Sequence, residues 1–357
     1  MKIVTIIGAR PQFVKSAVVS NELKKRSIDE VIIHTGQHFD PNMSDIFFEE
    51  LKLSRPKYNL GIHGGGHGEM TGQMLAVVEK ILLKELPDLI VVYGDTNSTL
   101  AAALAAVKLH IPIAHIESGL RSFNMKMPEE VNRILTDRVS TLLFTPTDLG
   151  INNLAKEGIS NVIWTGDVMY DSVLHFSEID SKGVSRLLPF GLTIGEYILA
   201  TIHRAENTDD FKRLSTIFFA LESLAEKIPV ILPLHPRTKK MLRDGNLVAK
   251  NIVIIDPVGY LDMLALEKNS RLIVTDSGGV QKEAFFFKKP CVTLRDETEW
   301  VELIDSGWNV LCPPLDKNNV EETIISRLDT LGDSNFNPYG LGNAAEIIAA
   351  SILHYFE

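Results

Sequence analysis

Short apolar runs rich in Val and Ile alternate with longer helical patterns from the first residues onward. This is the pattern of parallel strands joined by crossover helices. In the first half the strands fall at 3–7, 30–35, 89–93, 113–116 and 142–145, with helical stretches such as 12–25 and 71–84 between them. A second series follows at 197–202, 230–234, 252–255, 272–275 and 291–294. Two consecutive sets predict an α/β protein of two doubly wound, Rossmann-like domains, joined somewhere in WTGDVMYDSVLHF at 164–176. The boundaries are set at 1–168 and 169–342. Ligands in such folds bind beyond the carboxyl ends of the strands, so the site is expected in the cleft between the two domains.

At 357 residues the chain exceeds what one core usually holds, in keeping with two domains. Hydrophobic residues at 45% and charged residues at 23% give the balance of a soluble globular protein. A formal charge of -10 offers no basic footprint for nucleic acid or an anionic membrane, so neither is expected as a partner. The two cysteines, Cys291 and Cys312, imply no disulfide framework and fit a reducing cytoplasm. No run approaches a membrane span, and the apolar run before Gly8 is too short for a signal peptide. The expectation is a cytoplasmic protein.

The chemistry sits where strands stop. The first strand ends in GARPQFVK, with Arg10 at the mouth of a helix and Lys15 farther along it, two cations that suit a diphosphate. The third ends in YGDTNST with Asp95 at its tip, and the fourth in HIESGLRS with His115, Glu117 and Arg121 close together. MPEEVNR then opens a helix with Pro128, Glu129 and Glu130, and Glu130 reads as a helix-dipole partner. Asp95 and Glu117 both end apolar strands and would converge on one crevice, where crowded carboxylates serve general acid–base work. No His or Cys spacing accompanies them, so no metal is expected.

The second half carries cations and backbone donors. ATIHRAEN ends a strand with His203 and Arg204, and LPLHPRT ends the next with His235 and Arg237. TDSGGVQKEA passes from a strand through Ser277, Gly278 and Gly279 into a helix. The first N–H groups of that helix lack intrahelical partners, and a phosphate would satisfy them. The plainer reading is that Ser277 only caps the helix and the glycines only make the turn.

GARPQ, YGDTNST, HIESGLRS, MPEEVNRILTD, HRAEN, TDSGGVQKEA and NPYG, in this order from Gly8 to Gly340, resemble the motif series of the non-hydrolysing UDP-N-acetylglucosamine 2-epimerases. The resemblance implies the glycosyltransferase-B architecture, a homodimer, and a C-terminal helix near 343–357 that packs back on the first domain. It also implies a UDP-sugar substrate and no cofactor, because the departing UDP itself makes the elimination possible. Asp95, Glu117 and Glu129 match the family's acid–base carboxylates, and His203 the histidine near the departing diphosphate. Ser277, Gly278 and Gly279 would hold the diphosphate, Glu283 the ribose hydroxyls, and Arg10 would add charge. Lys15, Arg133, Arg204 and His235 complete the expected substrate-binding set.

The family's common motifs read Gly-Thr-Arg-Pro-Glu and Thr-Glu-Arg-Pro-Glu where this chain has GARPQ and TEWVE. With HTGQHFDPNMS, IHGGGHGEMTG and MPEEVNR, these departures resemble the branch that epimerises UDP-2,3-diacetamido-2,3-dideoxy-glucuronate, for surface polysaccharide precursors. The departures around Gln12 and Trp300, and the stretch 62–71, are therefore where selection of the sugar is expected. UDP-GlcNAc as the substrate, a glycosyltransferase of the same architecture, and a nucleotide-sugar sensor are the alternatives.

Overall fold

The computed structural model describes residues 1–37, 51, 53–179, 183–234 and 236–357. His235 and residues 38–44 of the motif HTGQHFDPNMS lie outside the described residues. The chain divides into two units, Met1–His175 with Asn337–Glu357, and Phe176–Phe336. It passes from one to the other inside the helix Val168–Ile179, later than residue 169. The first turns of that helix belong to the first unit, since Ser172 Oγ donates to Val14 O at 3.1 Å and Asp171 Oδ2 accepts from Ala345 N at 2.8 Å.

In the first unit the strands are β1 (Lys2–Ile7), β2 (Asp29–His34), β3 (Tyr58–Asn59), β4 (Leu89–Tyr93), β5 (Ile113–Ile116), β6 (Leu142–Thr145) and β7 (Val162–Trp164). They form a parallel sheet in the order β3-β2-β1-β4-β5-β6-β7. The second unit has β8 (Ile198–Thr201), β9 (Val230–Pro233), β10 (Val253–Ile255), β11 (Leu272–Thr275), β12 (Cys291–Thr293) and β13 (Asn309–Leu311). Its parallel order, β10-β9-β8-β11-β12-β13, repeats the same winding. Each sheet thus reverses its direction of growth beside its first strand, between β1 and β4 and between β8 and β11. The loops leaving those two strands diverge there, and the divergence makes a crevice for a ligand.

Burial on both faces explains why the central strands read as unbroken apolar runs: every residue of β4, β5, β6 and β11 is buried. The short outer strands β3, β7 and β13 escaped the sequence reading, because two or three residues, most of them partly exposed, carry no such run. The helix Asn97–Lys108 follows β4 and is capped by Thr96, whose side chain accepts from Thr99 N. Its alanines 101, 102, 103, 105 and 106 are wholly buried, and their small side chains let the helix lie close to the sheet. No helix among the described residues is long and apolar enough to cross a membrane.

The last helix, Ala344–Tyr355, packs on the helix Arg10–Lys25. Asn343 gives it no side-chain cap, and Asp171 supplies the missing acceptor from another helix. Burial pushes the Asp171 carboxyl up to about 6, against the pull of the Ala345 and Ala344 amides. A carboxyl raised in the fold keeps its proton after the unfolded chain has lost its own, so stability falls as pH rises from about 4 to about 6. Asp171→Asn keeps an acceptor for Ala345 and removes the charge. It is expected to be more stable at pH 7 by on the order of 1–3 kcal/mol and to lose that fall. Urea melts at several pH values check this, and an unchanged pH profile would contradict it.

Candidate active site

In the first unit one buried amide holds the crevice together. Gln12 Oε1 accepts from Gly8 N at 2.7 Å and Ala9 N at 3.0 Å, on the loop that leaves β1. Its Nε2 donates to Tyr93 O at 2.8 Å and lies 3.1 Å from the hydroxyls of Thr96, on the loop that leaves β4, and of Thr99, in the helix that follows. Only 3% of Gln12 is exposed. Both ends of its amide are committed to the protein, which corrects the expectation that Gln12 helps select the sugar. Beside it, a Cβ on Gly8 would come within 2.1 Å of Thr35 Oγ1 and 2.4 Å of Ser98 Oγ, so only glycine fits there.

The expected carboxylates gather around this seam. Asp95 Oδ2 accepts from Arg133 Nε at 3.0 Å, and its backbone carbonyl accepts from Asn132 Nδ2 at 2.8 Å. Glu117 follows β5 in a left-handed conformation, φ 68°, which costs a residue with a side chain about 1–2 kcal/mol. One Glu117 oxygen is hydrogen-bonded to Lys15 Nζ. That oxygen lies 3.3 Å from where a Cβ on Gly94 would stand, so the Glu117 carboxylate rests against the residue that precedes Asp95. Lys15 is buried in this pair, where the sequence had suggested a cation for a diphosphate. Asp95 Oδ1 and Glu117 Oε1 have no hydrogen-bond partner among the described residues.

Glu129 and Arg133 are one turn apart on the helix Pro128–Val139 and share a face. No hydrogen bond or ion pair among the described residues engages Glu129, which is partly exposed. Its neighbour Glu130 is wholly buried and accepts from Ser122 N, Phe123 N and Arg133 Nη1 at 2.9, 2.9 and 2.6 Å. Burial opposes the charge, but the two amides, the Ser122 hydroxyl and Arg133 outweigh it and hold the Glu130 carboxyl below its usual range. Glu130 is thus a loop anchor. Arg10 is exposed at the start of its helix.

Behind the carboxylates lies a buried polar network that the sequence reading missed. His115 places Nε2 2.8 Å from Gly94 O and Nδ1 2.7 Å from Asp137 Oδ1. Asp137 also accepts from Gly119 N at 3.1 Å and pairs with Arg121 at 2.7 Å, and Arg121 grips Glu157 with two bonds of 2.6 and 2.9 Å. Burial would raise the Asp137 carboxyl, yet His115 and Arg121 hold it low. The network ties the loops on either side of Asp95 and Glu117 to one another. An Asp twenty-odd residues beyond the strand gave no local signal of this.

The second unit closes its own crevice with Asp276, which is fully buried at the end of β11. Its carboxylate accepts from His203 N at 3.0 Å, Arg204 N at 3.1 Å and Asn207 Nδ2 at 3.1 Å, so it folds the loop that leaves β8. The His203 ring is exposed, with Nδ1 3.5 Å from Asp276. Ser277 caps the helix Gly278–Phe286. Neither Gly278 nor Gly279 has a positive φ, so the turn itself does not demand glycine. A Cβ on Gly279 would meet only Ser277 Oγ, at 3.9 Å, so the glycine leaves the helix N-terminus open to approach.

Several side chains brace this turn from its other side. Trp300 Nε1 donates to Gly278 O at 2.9 Å, and Lys282 Nζ stands 4.4 Å from the indole centroid. Arg204 Nη2 lies 3.2 Å from Glu299, which Arg295 also binds at 2.7 Å. Trp300 therefore supports the Gly278 turn, whereas the sequence had placed it with the sugar. Glu283 lies in the second turn of the same helix and is 9% exposed. Among the described residues no cluster of His, Cys, Asp and Glu has the makings of a metal site.

Comparison with known proteins places this geometry. The family model of UDP-N-acetylglucosamine 2-epimerase matches residues 21–353. The chain belongs to the UDP-N-acetylglucosamine 2-epimerase family. It is 54% identical over 356 residues, 98% of each chain, to the UDP-2,3-diacetamido-2,3-dideoxy-D-glucuronate 2-epimerase of Pseudomonas aeruginosa. It is 46% identical over 363 residues, again 98% of each, to the UDP-N-acetylglucosamine 2-epimerase of Methanocaldococcus jannaschii. The crystal structure of that archaeal enzyme in complex with UDP-GlcNAc and UDP superposes with a TM-score of 0.86, covering 99% of this chain and 100% of the other. The Neisseria meningitidis enzyme bound to UDP-GlcNAc, 32% identical, gives 0.87 with the same coverage. The family resemblance carried by the ordered motifs is thereby established, as is the architecture that it implied.

Within this family member the Gln12 seam makes a direct test possible. Gln12→Ala would strand the buried N–H groups of Gly8 and Ala9, while Thr99 still serves Tyr93 O at 2.7 Å. A loss of about 2–4 kcal/mol in unfolding free energy is expected from two unmet donors. A denaturant midpoint equal to that of the parent would show that the seam is held by other means.

Proposed function

We propose that the chain inverts C2 of a UDP-linked 2-acetamido sugar by anti elimination of UDP and syn re-addition. The observation that carries this reading is the pair Asp95 and Glu117, each with one oxygen on a cation and the other without a partner among the described residues, with the Glu117 carboxylate against Gly94, next to Asp95. A base takes the C2 proton as the C1–O bond to UDP breaks, leaving a 2-acetamidoglucal. UDP oxygen then returns to C1 while an acid delivers a proton to C2 from the opposite face. The sugar is isomerised with no net change of atoms or electrons.

Asp95, Glu117 and Glu129 carry the protons in this scheme, and Lys15 and Arg133 orient two of them. Ser277, Gly278 and Gly279 receive the diphosphate at the helix N-terminus, His203 lies near the bond that breaks, and Glu283 holds the ribose. Arg10 and Arg204 supply charge toward the diphosphate. The protein would work as a cytoplasmic homodimer on polysaccharide precursors. Asp95→Asn, Glu117→Gln and Glu129→Gln are each expected to lose about 10²–10⁴ in kcat while UDP affinity stays within about threefold. In deuterated water the parent would place deuterium at C2 of the sugar without any acceptor. Wild-type turnover in all three variants would remove the carboxylates from the mechanism, and turnover without deuterium uptake would favour a transferase.

The preferred sugar in this reading is the 2,3-diacetamido-glucuronate, whose C6 carboxylate calls for an added cation or amide donor. The stretch 62–71 supports this choice because it reaches the same crevice. His67 Nδ1 lies 3.1 Å from Asn97 Nδ2, and Asn97 Oδ1 accepts from Asn132, which also binds the Asp95 carbonyl. One charge-assisted contact is worth about tenfold to a hundredfold in discrimination. The uronate is expected to show the higher kcat/KM, and His67→Ala to lower it for the uronate more than for UDP-GlcNAc. A preference for UDP-GlcNAc in side-by-side kinetics would overturn the sugar assignment and leave the reaction standing.

A further inference from the structure

The first turn of the helix Gly278–Phe286 is gripped by its carbonyls. Gln281, wholly buried, returns its Nε2 to Ser277 O at 3.2 Å, and Trp300 Nε1 donates to Gly278 O at 2.9 Å. One hydroxyl joins the two grips, since Thr298 Oγ1 donates to Gln281 Oε1 at 2.6 Å and accepts from Trp300 N at 3.2 Å. Asn309 Nδ2 adds a second donor to Gln281 Oε1 at 3.0 Å, which fixes the end of the amide that faces Ser277. Lys282 Nζ, 4.4 Å from the indole centroid, holds the Trp300 ring from the helix itself.

A trans peptide is a rigid plane whose C=O and following N–H point in opposite directions. The far ends of the two gripped planes are therefore the N–H groups of Gly278 and Gly279. Ser277 Oγ serves the Val280 amide, and no hydrogen bond among the described residues engages those two N–H groups. We propose that Trp300 is a positioning residue for the diphosphate, which aims the Gly279 N–H by holding the carbonyl at the other end of the same peptide plane. Gln281 does the same for the Gly278 N–H. The inference rests on the reading of the Ser277–Gly279 turn as the diphosphate site, and it assigns Trp300 no contact with substrate. Two glycines in succession leave a backbone with much freedom to lose, and donors already fixed when the ligand arrives lower the ordering cost of binding.

Calorimetric titrations of UDP and of uridine against the full chain separate positioning from packing, since the two ligands differ only in the diphosphate. Trp300→Phe keeps an aromatic ring for Lys282 and removes the donor to Gly278 O. It is expected to weaken UDP by about three- to tenfold, as suits one lost hydrogen bond, while uridine binds within about twofold of the parent. Gly279→Val, which sets a branched side chain in the open approach, should weaken UDP by at least about tenfold and leave uridine within about twofold. If Gly279→Val weakens UDP and Trp300→Phe does not, the positioning role is overturned while the turn stays the diphosphate site. If Gly279→Val binds UDP as the parent does, the diphosphate assignment falls and the role of Trp300 with it. A Trp300→Phe variant that weakens both ligands equally would show that the indole only supports the fold, and would overturn the positioning role as well.

Discussion

A parallel sheet that reverses its order leaves two loops diverging from adjacent strands, and nothing in the sheet's own hydrogen bonding holds those loops in place. Each unit of this protein bridges that seam with a buried polar side chain. In the first unit Gln12, on the helix after β1, accepts from Gly8 and Ala9 and donates across to Tyr93. In the second unit Asp276, at the end of β11, accepts from the amides of His203 and Arg204. The same two-loop problem is solved from opposite sides of the seam. An unmade bond to a buried amide costs more than a made one contributes, so these contacts act as constraints on loop geometry. The turns that carry Asp95, His203 and Arg204 are held by them.

The choice of an amide in one place and a carboxylate in the other follows from what each must reach. Gln12 faces donors at one end and a carbonyl at the other, and only a side chain with both an acceptor and a donor satisfies the two. Asp276 faces donors alone, so a charged acceptor suits it. In the first unit the His115–Asp137–Arg121 network adds a deeper tier. It fixes Gly94 and Gly119 by their backbones, and so sets the turns that carry Asp95 and Glu117. Such rigidity explains how Glu117 persists at a positive φ. The strain is small beside the network that enforces it, and it points the carboxylate back toward Gly94 and Lys15.

Much of this was legible in the sequence, and the rest was hidden for identifiable reasons. The central strands announced themselves because burial on both faces forces unbroken apolar runs, and the strand-end placement of Asp95, Glu117 and Ser277 followed from those runs. β3, β7 and β13 were invisible because edge strands of two or three residues, most of them partly exposed, impose no such demand. Lys15 looked like a phosphate cation because spacing along one helix cannot reveal a partner on another strand's end. Gln12 and Trp300 looked like sugar contacts because a departure from a motif does not say which way the side chain points. Both point into the protein, one across the seam and one onto the Gly278 carbonyl. The plainer reading made the glycines after Ser277 mere turn-makers, whereas their φ angles leave the turn open to other residues. What Gly279 provides is clear space.

The distribution of these parts bears on how such a reaction can change its sugar without changing its chemistry. Re-addition requires that UDP stay held after its bond to the sugar has broken, so the groups that grip the nucleotide must not depend on the sugar. In the proposed scheme those groups are the Ser277 turn and the loop that Asp276 folds, which Trp300, Glu299 and Asp276 brace from within the same unit. The carboxylates of the first unit are likewise fixed from behind, by Lys15, Arg133 and the His115 network. The stretch 62–71 stands apart from both frameworks. It is largely exposed and meets Asn97, beside the Asp95 turn, through His67 and Met70. Exposed side chains on such a segment can change with less cost to the fold than buried ones, which in the proposed scheme suits this stretch to follow a change of substrate.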